Sequence, residues 1–325
     1  MTDIEDYADL GANVRCILRD ASHSVWRAEG DDGQGVMTMY DVMPGIVLMF
    51  NSYTNIQSLN SALRLMPESR ILCLIYCREG RIERELDENT CLYLGAGDLR
   101  IDDYTKHAQK FRFPFGHYRG VTVCLLLDDA DRSLQSVFPD GFPVSVQRLY
   151  DEFCADERPV VLHGGPAVEH IFSEMYSAQE SFRDAYLKLK VMELLLFLGE
   201  RLPRGDRMDI GYLRRSQVDK AKAIERAITA DLTAHKTLEQ LSAKFDFPYA
   251  SMQRCFKEVY GTSIHAYLTR YRMTQAAMLL RTTSKPVYDV ALSVGYASAS
   301  KFAAAFRDVV GSSPSAYREG ALQER

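Results

Sequence analysis

The stretch VALSVGYASASKFAAAFRDVVG, residues 290–311, sets large apolar side chains at helical intervals and fills the positions between them with small or cationic residues. The apolar positions mark one face of a short helix and then one face of a second helix: Val290, Ala291 and Val294, followed by Phe302 and Phe306. Gly295 separates the two faces, and Gly311 stands where a left-handed residue closes a helix. The pattern predicts a helix, a tight turn and a second helix whose large residues hold a core.

The same pattern occurs earlier in the chain, so that residues 241–261 form the first copy and residues 290–311 the second. The stretch LSAKFDFPYASMQRCFKEVYG, residues 241–261, repeats it with an offset of 49 residues before the turn and 50 after it. Thr237 and Gln240 are spaced as a capping box at the start of this copy. Internal repetition of this kind predicts two copies of one structural unit.

The outer side of each second helix carries small and cationic residues. A helix-turn-helix inserts its second helix into the DNA major groove, where small residues allow close approach and Arg or Gln distinguishes base edges. The residues predicted to face DNA are Gln253, Arg254 and Lys257 in the first copy and Ser298, Ala299, Ser300, Lys301 and Arg307 in the second. The alternative is that these are solvated charges on amphipathic helices, and the repeat argues against it.

A continuous helical pattern joins the two copies. It runs from Ser263 to Arg281, with Ile264, Tyr267, Leu268, Tyr271 and Leu279 expected to face inward. One long helix would hold the two recognition helices at a fixed separation. At about 34 Å, one DNA turn, both could reach successive major grooves on one face of the duplex.

These residues resemble the AraC/XylS-type transcriptional regulators. VALSVGYASASKFAAAFRDVVGSSPSAYR is similar to that family's C-terminal signature, LSAKFDFPYASMQRCFKEVYGTSIHAYLTRYRMTQAAMLL is similar to the half before it, and the resemblance covers residues 217–318. It implies two helix-turn-helices joined by a linker helix, with base contacts concentrated on the first recognition helix. By position these contacts fall on Ala250, Gln253 and Arg254 in the first copy and on Ala299, Ser300 and Ala304 in the second. The alanines are smaller than the residues often found there, which argues against strong base reading by the second copy.

The first part of the chain, residues 1–165, reads as short strands with turn signals between them. The expected strands are VMTMYDVM, IVLMFNSY, ILCLIYCRE, RIEREL, CLYLG, LRIDDY and VTVCLLL, with Gly80 separating the third from the fourth. Such strands predict an antiparallel β-barrel, here a small jelly roll. YCREGRIERELDENTCLYLGAGDLRID resembles the strand-turn-strand run of the cupin-like sensor barrels of the AraC/XylS family, which implies a small effector held within the barrel.

Residues 166–202 switch to helical periodicity and predict a pair of helices, the second from about Asp184 to Arg201. Its apolar stripe consists of Leu187, Val191, Leu194, Leu195 and Leu198. Further apolar residues widen this surface, so the helix must be covered on more than one side. Two interpretations stay open: dimerisation through the stripe, or packing on the helix's own domain.

Charge divides the chain into two halves. Residues 203–216 mix Pro, Gly and charged residues and are predicted to be a linker, followed by a DNA-binding domain at 217–325. From residue 203 onward 19 Lys plus Arg stand against 12 Asp plus Glu, whereas residues 1–202 contain 20 and 32. An acidic half is therefore joined to a basic half that suits DNA.

Composition and cysteine usage favour a cytoplasmic protein. The chain is 46% hydrophobic and 26% charged, and its seven cysteines are irregularly spaced, as expected of free thiols in a reducing compartment. The N-terminus lacks the pattern of a secretory signal. The apolar segment VMELLLFLG is about half as long as a membrane span and contains Glu193. We expect no membrane partner.

Four residues of the first part are candidates for holding an effector: Arg78, Arg81, Phe111 and Phe113. The arginines alternate with Arg84 on one predicted strand, where an anion could meet them, and solvent exposure is the alternative. The aromatic residues belong to FRFPFGHY and would line a ligand cavity or pack in the core. No paired-histidine motif of a metal-dependent cupin enzyme is present, so we expect no metal, no cofactor and no enzymatic activity.

The sequence thus predicts an α+β multidomain protein. Its parts are a cupin-like antiparallel β-barrel with a helix pair and an all-α domain with two helix-turn-helices. The predicted function is sequence-specific binding of double-stranded promoter DNA by a transcription regulator. A small-molecule effector in the barrel, a homodimer and, for an activator, RNA polymerase are the expected partners. The alternatives are a cupin-type barrel enzyme with an accessory DNA-binding tail, or a regulator whose barrel senses a protein.

Overall fold

The computed structural model divides the chain into two compact units, residues 1–212 and 213–325. The described residues are 8–9, 14–20, 22–29, 33–56, 58–60, 62–63, 70–104, 110–138, 140–155, 158–163, 165–201 and 212–323. Most of the predicted linker, residues 203–211, lies outside them. The helices of the second unit begin at Arg215, just before the predicted start at residue 217.

Strands dominate the described residues of the first unit. In chain order they are Ala8–Asp9 (β1), Val14–Arg19 (β2), His23–Glu29 (β3), Gln34–Met43 (β4), Ile46–Thr54 (β5), Ser58–Asn60 (β6), Ala62–Leu63 (β7), Ile71–Asp87 (β8), Thr90–Gly95 (β9), Leu99–Asp103 (β10), Lys110–Arg112 (β11), His117–Leu126 (β12) and Val160–Leu162 (β13). Each predicted strand segment falls largely on one of these strands. The alternation of apolar and polar residues and the turn residues between segments were sufficient to find them.

The main sheet is antiparallel and centred on β8. Its strands follow the order β13-β10-β8-β12-β5-β4-β3-β2, and the second half of β8 also pairs with β9 and β11. Among the described strands, the two ends of this order, β13 and β2, are not hydrogen-bonded to each other. The sheet is therefore open rather than the closed barrel that the sequence predicted, because strand spacing along a chain does not determine whether a sheet closes.

Gly80 lies inside β8 instead of separating two strands as predicted. Its φ of +84° falls in the left-handed region, and a Cβ there would lie 2.3 Å from the carbonyl oxygen of His117. The register against β12 shifts at this point, since Arg119 faces Glu79 but Gly120 faces Cys77. This β-bulge allows one strand of 17 residues to continue through the glycine.

Helices cover one face of the sheet. They are Leu127–Gln135 (α1), Val146–Phe153 (α2), Pro166–Ser177 (α3) and Arg183–Arg201 (α4), with a 3-10 turn at Glu180–Phe182. The predicted pair corresponds to α3 and α4, whereas α1 and α2 were not predicted. The helices and the strands beneath them share one hydrophobic core, which we call the helix-covered core; it includes Leu72, Leu74, Val121 and Val123.

The apolar stripe of α4 belongs to this helix-covered core. The five residues predicted for dimerisation are each at most 1% exposed: Leu187, Val191, Leu194, Leu195 and Leu198. The prediction that this stripe forms a dimer interface is therefore wrong, and the five residues belong to the core of their own unit. Side chains that are already packed inside the monomer have no exposed surface for contact with a second copy. Leu189 and Leu196, on the other side of the helix, are 59% and 41% exposed.

The opposite side chains of the same strands form a second core. On β8 the residues alternate, so that Ile71, Cys73 and Ile75 point into the second core while their neighbours point into the first. This second core also contains Phe111, Phe113 and Cys124. Burial of both faces explains why β8 reads as a nearly continuous apolar run up to Cys77.

The second unit is helical over most of its described residues. After the short strand Leu213–Arg214 (β14), the helices are Arg215–Thr229 (α5), Leu238–Lys244 (α6), Tyr249–Tyr260 (α7), Ile264–Thr282 (α8), Val287–Ser293 (α9), Ala299–Val310 (α10) and Pro314–Gln323 (α11). The helices α6 and α9 are offset by 49 residues, and α7 and α10 by 50. The predicted repeat, with one additional turn residue in the second copy, is thus reproduced in the helix bounds.

Candidate DNA-binding surface

The tight turn of each copy is closed by a residue with positive φ. In the first copy this residue is Asp246, at +44°, and in the second it is Gly295, at +85°. The N–H of Phe247 donates to the carbonyl of Ser242 at 3.0 Å, and the N–H of Tyr296 donates to the carbonyl of Ala291 at 2.9 Å. Equivalent hydrogen bonds therefore fix the angle at which each second helix leaves its turn.

The start of the first copy is capped as the sequence predicted. The hydroxyl of Thr237 accepts from the N–H of Gln240, and the Gln240 side chain accepts from the N–H of Thr237 at 2.9 Å. The equivalent position of the second copy is Pro286, which makes no side-chain cap. The two copies thus share their geometry but not every stabilising contact.

Both second helices end in the same way. Gly261 and Gly311 have φ values of +69° and +87°, and their N–H groups donate to the carbonyls of Lys257 and Arg307 at 2.7 and 2.9 Å. The serine two positions later then caps the next helix, accepting from Ala266 in one copy and Ala316 in the other at 3.2 Å. Such left-handed C-caps stop the helix and turn the chain away.

An aromatic pair fixes the inner side of each second helix. Phe256 packs edge-on against Tyr267 with ring centroids 5.6 Å apart, and Phe306 packs against Tyr317 at the same distance. Both phenylalanines are fully buried. Because the large residues are held inside, the opposite side of α7 and of α10 stays exposed.

The predicted contact residues of α7 lie together on this exposed side. Ala250, Gln253, Arg254 and Lys257 follow the spacing i, i+3, i+4 and i+7, which places them on one face. Ala250, Arg254 and Lys257 are exposed and Gln253 is half-buried. The face offers one amide and two cations to a partner.

The matching face of α10 carries smaller side chains than the face of α7. The residues 50 positions later are Ser300, Ala303, Ala304 and Arg307, and the two alanines take the places of Gln253 and Arg254. Ala299, Ser300, Lys301 and Arg307 are exposed. This face therefore keeps a cation at its end but lacks the long polar side chains at its centre.

Ser298 was predicted to face DNA, and the structure gives it a local role. Its hydroxyl caps α10 by accepting from the N–H of Lys301 at 3.4 Å, and it lies 3.0 Å from the hydroxyl of Ser300. A capping hydroxyl stabilises the start of the helix. Ser298 consequently holds the helix in place at the edge of the exposed face.

The helix α8 connects the two copies and is anchored at its side. The phenol of Tyr267 donates to Glu225 of α5 at 3.0 Å, and burial followed by that carboxylate raises the pKa of Tyr267 above its usual value. Arg272 donates to the carbonyl of Leu232 at 2.7 Å. Met273, Ala276 and Leu280 of α8 pack into the core of the second copy. These contacts keep α8 in one position between the two copies.

The four effector candidates are not brought together. Phe111 and Phe113 lie in the second core, whereas Arg78 stacks on the ring of Tyr176 in α3 at 4.1 Å, against the helix-covered core. Arg81 is only 9% exposed and lies over the ring of Tyr93 at 5.9 Å. Solvent exposure, the alternative for Arg81, is therefore wrong, and Arg78 does not belong to a common site with the two phenylalanines.

The structure also buries three charged residues, of which the sequence suggested only Arg84 as a possible contact of an anion. Arg84, Arg100 and Asp102 are at most 2% exposed; the two arginines lie beside Phe111, and Asp102 forms an ion pair with Arg84. Their types and their spacing on strands were visible in the sequence, but burial of a charged residue is rare and no local pattern announces it.

In the part of the chain that the structure describes, no group of three or more His, Cys, Asp or Glu residues is arranged to hold a metal ion. Within the same part, none of the helices combines the length and the apolar character needed to cross a bilayer.

Two short helices, each followed across a tight turn by a helix with one exposed face, define the second unit as a double helix-turn-helix domain. A family model described as a helix-turn-helix domain matches residues 241–320. The second unit is a DNA-binding domain of the AraC/XylS type, which confirms the family resemblance drawn from the sequence.

Several known proteins are similar to a quarter to a third of the chain. Right origin-binding protein of Escherichia coli K12 is 34% identical over 82 residues, which is 25% of this chain and 28% of that protein. The HTH-type transcriptional activator AarP of Providencia stuartii is 29% identical over 116 residues, 35% of this chain and 86% of that one. The solved DNA-binding domain of AdpA with a target DNA is 27% identical, covers 33% of this chain and 96% of that chain, and has a TM-score of 0.32.

Proposed function

We propose that the chain is a sequence-specific DNA-binding transcription regulator whose first unit receives a signal. The observation that carries this proposal is the repeated helix-turn-helix geometry, with an exposed polar face on α7 and a matching face on α10. The naming of AarP as a transcriptional activator supports it. If this chain also activates transcription, RNA polymerase would be a further partner.

The exposed residues divide into two roles. Gln253 and Arg254 stand at the centre of the α7 face and would read base edges, because their side chains present paired donors and acceptors. Lys257 and Arg307 lie near the ends of their helices and would contact phosphates, which position the protein without reading sequence. With alanines at its centre, α10 would contribute close approach and phosphate contacts more than base reading.

The signal received by the first unit is proposed to be a small molecule. Binding would change DNA affinity only if the molecule binds two states of the chain with different affinity. Homodimerisation stays a prediction, and it can no longer rest on the buried stripe of α4. A stoichiometric metal in the purified first unit would favour the enzyme alternative instead.

The test is selection of bound duplexes from a randomised DNA pool by the purified full chain at near-physiological salt. We expect enrichment of one site with contacts in two successive major grooves, about 34 Å apart. The variant Arg254→Ala should lose that preference, and the matched variant Arg226→Ala, at an exposed cation of α5, should keep it. Failure of the full chain and of the fragment 213–325 to enrich any sequence would contradict the proposal.

A further inference from the structure

Two arginines and one aspartate are buried together in the first unit. Arg84 comes from β8, and Arg100 and Asp102 come from β10; their exposed fractions are 1%, 1% and 2%. Nη1 of Arg84 donates to Oδ2 of Asp102 at 2.6 Å. Nε of Arg100 lies 3.4 Å from Oδ1 of the same carboxylate, too poorly aligned for a hydrogen bond. One carboxylate thus faces two guanidinium groups.

The neighbouring acids on these strands are engaged elsewhere. Glu83 forms an ion pair with Arg112 at 3.3 Å, and the carboxylate of Asp103 accepts from the phenol of Tyr150 at 2.5 Å. Strand alternation points both acids away from the side on which Arg84 and Asp102 lie. Within the part of the chain that the structure describes, the arginine pair therefore keeps one positive charge that Asp102 does not balance.

This excess of charge is unfavourable in a buried place. Burial, and next the charge of Arg100, lowers the pKa of Arg84 to about 10, although it stays protonated at neutral pH. An uncompensated buried ion destabilises a fold unless a partner is supplied. A partner of opposite charge would remove this penalty.

The unpaired atoms have a specific geometry. Nε and Nη2 of Arg84, and the same two atoms of Arg100, are buried and make no hydrogen bond within the part of the chain that the structure describes. In a guanidinium these two nitrogens point their N–H groups in parallel along one edge. That edge matches the two oxygens of a carboxylate, which makes it the common bidentate contact between arginine and an organic acid.

The surroundings of the pair are apolar. The ring of Phe111 lies 5.9 Å from the guanidinium carbon of Arg84 and 5.8 Å from that of Arg100. Phe111 belongs to the second core, together with Cys73 and Leu92. A ligand that brings a negative charge here would have to bring an apolar body with it, since the core offers few other polar partners.

We propose that Arg84 and Arg100 bind the carboxylate of a small organic molecule with an apolar body, inside the first unit. One negative charge balances the pair, the two carboxylate oxygens accept from the unpaired edge of Arg84 and from Nη2 of Arg100, and the body packs against Phe111. This proposal rests on the proposed function, because it names the chemical class of the signal. Asp102 holds Arg84 in position and is not itself a ligand contact.

The test measures binding of defined acids to the full chain by calorimetry and by the shift in Tm. The probes are acetate, hexanoate and phenylacetate, each beside its neutral primary amide, together with inorganic phosphate. We expect hexanoate or phenylacetate to bind and raise Tm, and the amides to have no effect. Binding of phosphate alone, of the amides equally well, or of no probe would overturn the proposal.

Substitution of Arg100 separates ligand binding from folding. Arg100→Met leaves the balanced pair of Arg84 and Asp102, so the ligand-free variant should be as stable as the parent, while its Kd for the acid rises at least about thirtyfold. Arg100→Lys, which keeps the charge but loses the parallel edge, should bind weakly. Arg15→Met, at an arginine whose side chain is 65% exposed, is the matched control and should bind normally.

Asp102→Asn should destabilise the ligand-free chain, in contrast to Arg100→Met. It leaves two unbalanced guanidinium groups, so it should lower Tm, and added acid should restore part of the loss. If Arg100→Met destabilises the ligand-free chain as much as Asp102→Asn does, both arginines are structural and the proposal is wrong. DNA selection by Arg100→Met without acid is run in parallel, because loss of acid binding with intact DNA binding separates this proposal from the proposed function.

Discussion

Arg254 lies exposed on α7, one helical turn from Ala250 and beside the half-buried Gln253. We expect Arg254→Ala to weaken binding to the selected site by about 1 to 3 kcal/mol and to relax discrimination at one base position, since a bidentate base contact is lost. Titration against the selected site and its single-base variants measures both effects. Unchanged discrimination between bases would mean that Arg254 faces solvent and makes no base contact.

Lys257 lies at the C-terminal end of the same exposed face, where a cation meets a phosphate more readily than a base edge. Lys257→Ala should weaken binding to every sequence by a similar factor, and it should reduce the slope of log K against log salt by about 1. The measurement is a salt titration on the selected site and on an unrelated duplex. An unaltered slope would count against a phosphate contact.

Two glycines of the second copy form a matched pair for testing backbone strain. Gly295 and Gly311 have nearly equal φ values, +85° and +87°, but a Cβ at 295 would lie 2.1 Å from the carbonyl oxygen of Leu232, whereas nothing lies within 4 Å of one at 311. Gly311→Ala should destabilise the chain by about 1 to 2 kcal/mol through its φ alone. Gly295→Ala should destabilise it by at least about 1 kcal/mol more because of the clash.

Urea unfolding of the three chains, followed by circular dichroism, measures these differences. Equal losses for the two variants would mean that the loop at Leu232 yields to the added methyl group.

At this scale the sequence was a good guide to exposed residues and a poor guide to buried charges. Arg254 and Lys257 could be placed because the apolar residues between them define the inner face of a helix. The burial of Arg84 and Arg100 could not be predicted, because it depends on the pairing of β8 with β10. That pairing is a property of the whole sheet.

The assignment of the apolar stripe of α4 to the core can be tested with two leucines of that helix. Leu194 is fully buried and Leu189 is 59% exposed. Leu194→Ala should lower the free energy of unfolding by about 2 to 5 kcal/mol through loss of buried contacts and creation of a cavity. Leu189→Ala should change it by less than about 0.5 kcal/mol.

Thermal and urea unfolding of the two variants provide the comparison. Equal effects would mean that the exposed side of α4 is covered in solution, and sedimentation would then decide whether a second copy covers it.

The helices of the second unit could be predicted closely because their signals are local. Capping residues, glycines and apolar spacing lie within a few positions of each helix end, and the repeat provides them twice. The helices α1 and α2 were missed for the opposite reason. Their segments, LDDADRSLQ and VQRLYDEF, are short and follow a strand and a loop, so each reads as a continuation of its neighbour.

For the whole molecule, the opposite charges of the two halves have a measurable effect. The basic unit, residues 213–325, should bind unrelated DNA more tightly by itself than within the full chain, because the acidic half lowers the local concentration of phosphate. Raising the salt should reduce the difference, since the screening length falls from about 30 Å at 0.01 M to about 10 Å at 0.1 M. Fluorescence anisotropy with both proteins on one unrelated duplex measures this. A difference independent of salt would indicate steric rather than electrostatic inhibition.

The open sheet is the feature that lay furthest beyond sequence reasoning. Alternation identifies strands and their faces, but the order of strands depends on contacts between residues far apart in the chain. The pairing of Arg84 with Phe111 across β8 and β11 is one example. A local sequence pattern therefore predicts the strands but not their order in the sheet.

The pairings of β8 give the first unit an uneven network of connections. Each strand can be treated as a node and each ladder of hydrogen bonds as an edge. β8 is then an articulation point, because no other ladder among the described strands connects three groups: β10 with β13, β11 with β6, and the series from β12 to β2. Opening of β8 therefore cannot be a local event, whereas β2 at the end of the series can fray alone. Amide protons of β8 should exchange with solvent only when the whole unit unfolds, and those of β2 should exchange far sooner.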